Sequence, residues 1–182
     1  MFEFWKAVPD NERHHWALDP FVSVGPLRFG MSPAEVSDAL SEVTEELQGL
    51  WRSYPASDAC APVIDKGDYR EFGLLLHYGD EKLKGVEVDA LRGPQVHAEG
   101  VALVGRVPSA LEQWMIERAK TREPEVDLTY MDAGMPGSDS LGVVLNVQRA
   151  GDHLVTRPVF FPSEGLDDLS HFLPRETWAI HH

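Results

Sequence analysis

The sequence predicts an α+β fold made of two tandem repeats, each a helix packed on an antiparallel sheet, and three observations carry that prediction. The first is internal repetition. Gly25-Pro-Leu-Arg-Phe-Gly30-Met-Ser-Pro33 aligns with Gly100-Val-Ala-Leu-Val-Gly105-Arg-Val-Pro108, so two glycines and a proline recur at one spacing. Farther on, Phe72-Gly73-Leu-Leu-Leu-His77-Tyr78 aligns with Leu141-Gly142-Val-Val-Leu-Asn146-Val147 at a slightly shorter spacing. The second is a helix-starting signal followed by apolar residues in steps of three and four, once in each copy. The third is a glycine-led pair of β-rich runs joined by turn residues, again once in each copy.

The copies occupy residues 21–97 and 98–162, between extensions over 1–20 and 163–182. Each reads as a short strand, a helix, a connection and a hairpin. In the first, Ser32-Pro33-Ala34-Glu35 is a capping box with proline at the first helical position, and Val36, Leu40, Val43, Leu47 and Leu50 form one apolar stripe. In the second, Ser109 is the expected cap of a helix running to Lys120, with Leu111, Met115 and Ala119 on one face, Trp114 beside them and Pro124 closing it. Val63 to Tyr69 and Val126 to Met131 are weaker strand signals. The clear hairpins run Gly73–Tyr78 with Leu83–Ala90, and Gly142–Gln148 with His153–Phe161. Pro158 predicts an edge or bulged strand, and Asp132 to Ser140 a Gly/Ser/Pro loop. Phe2, Phe4, Trp5 and Trp16 at one end, and Phe172, Leu173, Trp178 and Ile180 at the other, are too apolar for free tails. Both ends are expected to dock, the second through a short helix from Leu166 to Phe172.

A chain of 182 residues with 43% hydrophobic residues can bury a real core. Thirty Asp and Glu against sixteen Lys and Arg leave a net charge of −14, which repels nucleic acid and anionic lipid and attracts a basic protein. Cys60 is the only cysteine, so an internal disulfide framework is excluded. The amino terminus lacks the basic stretch and apolar core of a signal peptide, and no apolar run approaches membrane-spanning length. The expected location is the cytoplasm.

Chemistry leaves little trace. The sequence has no Gly-x-Ser-x-Gly elbow, no phosphate-binding Gly-x-x-x-x-Gly-Lys-Ser/Thr loop, no His-Glu-x-x-His and no Cys-x-x-Cys. His14-His15 and His181-His182 are adjacent pairs whose rings point to opposite sides, a poor start for a metal site, so no metal or cofactor is expected. Cys60 has no cationic neighbour to activate it, and Asp152-His153 reads as a turn. Gly134 to Gly142 lacks the lysine and following helix of a phosphate cradle.

Strand alternation supplies the better candidate. Leu74, Leu76 and Tyr78 fall on one face of the sheet, and Leu75 and His77 on the other; Val86, Val88 and Ala90 oppose Glu87 and Asp89. With the helix over the first set, Leu75, His77, Glu87 and Asp89 form an open face, extended by Val144, Asn146 and Gln148. Glu35, Asp38 and Glu42 add an acidic helix flank. These surfaces suit a non-catalytic protein-binding module that steers in a basic partner, as a monomer or a homodimer. Two other readings stay open: a ligand-binding or enzymatic domain with a cleft between the repeats lined by His77, Trp114 and Tyr130, and a structural subunit joined through an edge strand.

Gly25-Pro-Leu-Arg-Phe-Gly-Met-Ser-Pro-Ala-Glu-Val36, followed by a glycine-led hairpin, resembles small bacterial proteins with a helix on an antiparallel sheet, of the beta-lactamase-inhibitor-protein-like and outer-membrane-assembly lipoprotein kinds. It is also similar to the acidic immunity proteins encoded beside bacterial toxins, which implies a role in masking a basic toxin or enzyme. The resemblance carries no individual functional residue, and the disulfides of the secreted inhibitors have no counterpart here.

Overall fold

The structure is a computed structural model that describes residues 5–45, 50–54, 64–122 and 127–181. It is α+β, with three α-helices among the described residues and two largely antiparallel sheets. The chain opens with β1 (His15–Asp19), β2 (Ser23–Val24) and β3 (Leu27–Arg28), then α1 (Pro33–Ser41), and a meander of β4 (Leu50–Tyr54), β5 (Ile64–Tyr69), β6 (Leu74–Gly79) and β7 (Lys82–Val88). There follow the hairpin β8 (Gln95–Ala98) and β9 (Val101–Ala102), α2 (Pro108–Lys120), and a second meander of β10 (Leu128–Tyr130), β11 (Pro136–Ser138), β12 (Val143–Ala150) and β13 (His153–Phe160). A one-turn helix α3 (Leu169–Phe172) begins the last segment.

The two meanders form one eight-stranded sheet in the order β10-β11-β12-β13-β7-β6-β5-β4. Its central joint is narrow: β13 and β7 pair only at Val159 with Glu87 and Phe160 with Val86. The hairpins form a smaller sheet, β3-β2-β1-β8-β9, in which β1 separates them, antiparallel to β2 and parallel to β8. The main core lies between this small sheet, the two long helices and one face of the large sheet. Val36 and Leu40 of α1 and Leu111 and Met115 of α2 meet Leu76, Tyr78, Val86, Leu145 and Phe160 there, with Trp16 from β1. Removal of such apolar surface from water is the principal stabilising term.

Local chemistry explains most boundaries. Ser32 accepts from the Glu35 amide at 3.3 Å while Glu35 accepts from the Ser32 amide at 2.8 Å, the reciprocal capping box expected. The tight turn between β6 and β7 places Asp80 and Glu81 at positive φ, the hand that matches strand twist. Gly25 has φ +57°, and a Cβ there would stand 2.5 Å from the Trp16 ring, so β2 and β3 can fold back over Trp16 only with glycine.

Several expectations are corrected. The α1 stripe does not continue to Leu50: the helix stops at Ser41, where β-branched Val43 and Thr44 follow, and Leu50 starts strand β4. Leu47 lies outside the described residues, as do Cys60 and Pro124. Ser109 does not cap α2; Val107 precedes a helix that starts on Pro108, and no side chain caps it. The loop from Asp132 to Ser140 contains β11, which joins β10 to β12. Pro158 stands in an interior strand, opposite Leu145 of β12, and its missing N–H falls just outside the short ladder to β7. The helix expected from Leu166 covers only Leu169–Phe172.

Candidate functional site

The face of the large sheet away from the helices is not open. Residues 173–181, a strap, cross its central joint: Leu173 packs over Gly85, Thr177 stands 3.3 Å from His77, and His181 bridges to Gln148. Gly85 eases that crossing, since a Cβ there would lie 2.7 Å from Leu173 Cδ2 and the end of that side chain would have to shift. Main-chain and amide bonds fix the rest. The Asn146 amide donates to the carbonyls of Thr177 at 2.8 Å and Ala179 at 3.1 Å, and the Arg149 N–H to that of His181 at 2.8 Å.

Beneath the strap lies a buried polar cluster. Glu87, His77 and Asn146 are 0% exposed, which overturns the expectation that they form an accessible surface. Gln148 is buried as well, and Leu75 and Asp89 are half-buried. Glu87 accepts from His77 Nε2 at 2.5 Å and from the Arg157 guanidinium, and His181 Nε2 is 3.9 Å away. Gln148 ties β12 to the end of β7 by accepting from the Ala90 amide at 2.9 Å and donating to Asp89 at 2.8 Å. Burial works to raise the Glu87 carboxyl, but the Arg157 charge and the bond and charge of His77 outweigh it and hold it at about 2. Glu87 is therefore ionised at neutral pH and His77 Nε2 is its donor.

This constellation does not assemble a nucleophile relay. In such a relay the carboxylate and the hydroxyl engage opposite ring nitrogens. Here Glu87 and Thr177 both lie on Nε2, while His77 Nδ1 is buried without a hydrogen-bond partner. The cleft proposed from His77, Trp114 and Tyr130 is also not formed. Trp114 packs on the helix-side core, His77 lies on the opposite face, and Tyr130 is 52% exposed with its hydroxyl on Glu112.

A second buried ion cluster anchors α2. Arg118 donates to both oxygens of Glu99, at 2.9 and 2.7 Å, and to Asp127 and Ser140, each at 2.8 Å. Asp127 also accepts from the Ser138 hydroxyl and the Ser140 amide. Burial would raise Asp127, yet these bonds and Arg118 bring it below the usual carboxylate value. The cluster fixes β10, β11 and the following turn to the helix.

The accessible features lie elsewhere. Glu35, Asp38 and Glu42 are exposed on and just after α1, as expected. A groove of about 370 Å³ runs between β10 and the start of β12 on one side and residues 166–170 on the other, lined by Tyr130, Met131, Leu166 and Leu169 together with Asp132, Asp139, Asp167 and Asp168. Burial raises the Asp139 carboxyl, partly offset by its bond from Thr129. Among the described residues no group of three or more His, Cys, Asp or Glu side chains is placed to hold a metal, and no helix is long and apolar enough to cross a membrane. Arg157, Thr177 and His181 were not foreseen in the buried cluster. Alternation does place Arg157 on the same face as Val159, but nothing local reveals the covering strap. Compared with protein-family models, curated proteins and solved structures, the chain matches none.

Proposed function

We propose that the protein is a non-catalytic, acidic protein-binding module that receives a basic partner in the groove beside β10 and the start of β12. The observation that carries this reading is the lining: four aspartates, exposed Tyr130 and Leu166, and no lysine or arginine. An apolar floor that excludes water, rimmed by one sign of charge, suits a lysine- or arginine-bearing segment. The internal use of cations strengthens the field outside. Arg13, Arg118 and Arg157 are buried, against the buried carboxylates Glu87 and Asp127, so these groups leave the outer surface no less acidic than the net charge of −14. An immunity-type role, masking a basic toxin or enzyme, is the narrower form of the proposal.

The test is affinity capture from the native lysate at low and high salt, with three baits. The unaltered protein should retain one stoichiometric basic protein that salt releases. Asp132→Lys with Asp167→Lys should lose it, whereas Asp38→Lys with Glu42→Lys on the α1 flank should keep it. Retention by the groove variant together with loss by the helix variant would move the site to α1. Turnover of a small substrate by the purified protein, abolished by one polar substitution, would overturn the reading.

The duplication belongs to the same proposal. In its support, hairpin, helix and four-stranded meander occur in that order twice, and the large sheet is palindromic about the β7–β13 joint. Gly25 and Gly100 both turn hairpins at positive φ, as Gly30 and Gly105 do before the helices, and Pro33 and Pro108 each open a helix. Superposing residues 23–41 and 50–88 on 95–120 and 128–160 in an experimental structure should match helix to helix and strand to strand; a meander strand without a counterpart would refute the duplication.

A further inference from the structure

The strap and the face it covers fit each other imperfectly. Buried polar atoms normally find partners, yet His77 Nδ1, Arg157 Nε, Trp178 Nε1 and His181 Nε2 are all buried without one. Two lie on the sheet and two on the strap. The last main-chain link is also long, with the His181 N–H 3.5 Å from the Val147 carbonyl. By contrast, Arg118 places donors on four side chains at the end of α2. The strap is thus the covering segment whose polar atoms have most to gain from release into water.

His181 supplies a trigger. Its ring faces Glu87 and Asp89 from β7 and Arg157 from β13, with His77 of β6 on the far side of the Glu87 carboxylate. The Arg157 guanidinium already engages Glu87, and Asp89 is held by N–H donors from Leu91, Arg92 and Gln148, so a proton on the buried His181 Nε2 adds a cation with no acceptor within hydrogen-bond reach. We propose that residues 173–181 form a proton-released strap: protonation of His181 lifts it from the sheet and uncovers the Glu87, His77 and Asn146 face, while the fold beneath stays intact.

The sign of the effect follows from the surroundings of the ring. Burial first, and then Arg157, push His181 below its ordinary value of 6.5, with Glu87 and Asp89 opposing. A histidine depressed in the closed state favours closure above pH 6.5 and opposes it as the pH falls toward its closed-state value. Each pH unit in that window multiplies the open population by up to about tenfold.

Hydrogen exchange on the full chain between pH 7.5 and 5.5, corrected for intrinsic exchange, tests this without any binding partner. Amides of Thr177, Ala179, His181 and Arg149 should lose protection by up to about tenfold, while those of Leu76 and Leu145 keep theirs. His181→Gln, which carries no titrating proton, should flatten the strap response and leave the sheet unchanged. Strap protection independent of pH, an unchanged response in His181→Gln, or simultaneous loss of strap and sheet protection would each overturn the proposal. A negative result here leaves the groove reading standing, since that reading makes no demand on the strap.

Discussion

The two sheets are joined across their midlines in different ways. In the small sheet β1 inserts between the hairpins, antiparallel to one and parallel to the other, and buries Trp16 in the main core. In the large sheet β7 meets β13 through two residue pairs, and the joint is completed by the side chains of Glu87, Arg157, Gln148 and Asp89 under the strap. One joint relies on backbone ladders and an apolar plug, the other on charge. Main-chain pairing tolerates substitution because every residue offers the same groups, whereas a buried ion pair fails when either member is removed. The terminal segments are thus the pieces that close the two midlines.

The largest expected effect is at the charged joint. Glu87→Ala leaves Arg157 buried and uncompensated and should cost about 4 kcal/mol in urea unfolding. Because the native Glu87 pKa of about 2 lies below its ordinary 4.5, its stabilisation is complete above pH 4.5 and fades as the pH falls toward 2. Acid titration of Glu87→Gln should lack that part of the loss.

Trp16→Ala removes the plug of the other joint and should cost about 3 kcal/mol, with no sharpening of the acid response. Gln148→Ala leaves the Ala90 N–H without its acceptor and takes one of three donors from Asp89, and should cost about 1.5 kcal/mol by the same unfolding measurement. The smallest effect belongs to Gly85→Ala. Its added methyl meets the flexible end of Leu173, so about 1 kcal/mol is expected, read as faster exchange of strap amides with β1 amides unaffected.

Much of the frame was legible from residues alone. The capping box at Ser32, the turn at Asp80 and Glu81 and both long hairpins follow from local chemistry and reappear within a residue or two. Strand alternation also sorts Leu74, Leu76 and Tyr78 from His77 and Glu87 correctly, since those sets fall on opposite faces. What alternation cannot report is which distant segment covers a face. His77, Glu87 and Asn146 therefore read as a recognition surface until Thr177 and His181 are seen above them. The missed strand at Leu50–Tyr54 has a similar cause: Leu50 fits the helical spacing from Val36 as well as it fits a β-rich run, and only pairing with β5 decides. The acidic groove was invisible because its walls come from β10, the start of β12 and the segment after β13.

Labelling with diethyl pyrocarbonate at neutral pH, read by peptide mass spectrometry, tests most directly that the central face is interior and the working surface lies outside it. Exposed His15, His153 and His171 should be modified while His77 stays unmodified until the protein is unfolded. Modification of His77 in the folded protein at the rate of His171 would contradict the covered face and return the sheet centre to the solvent.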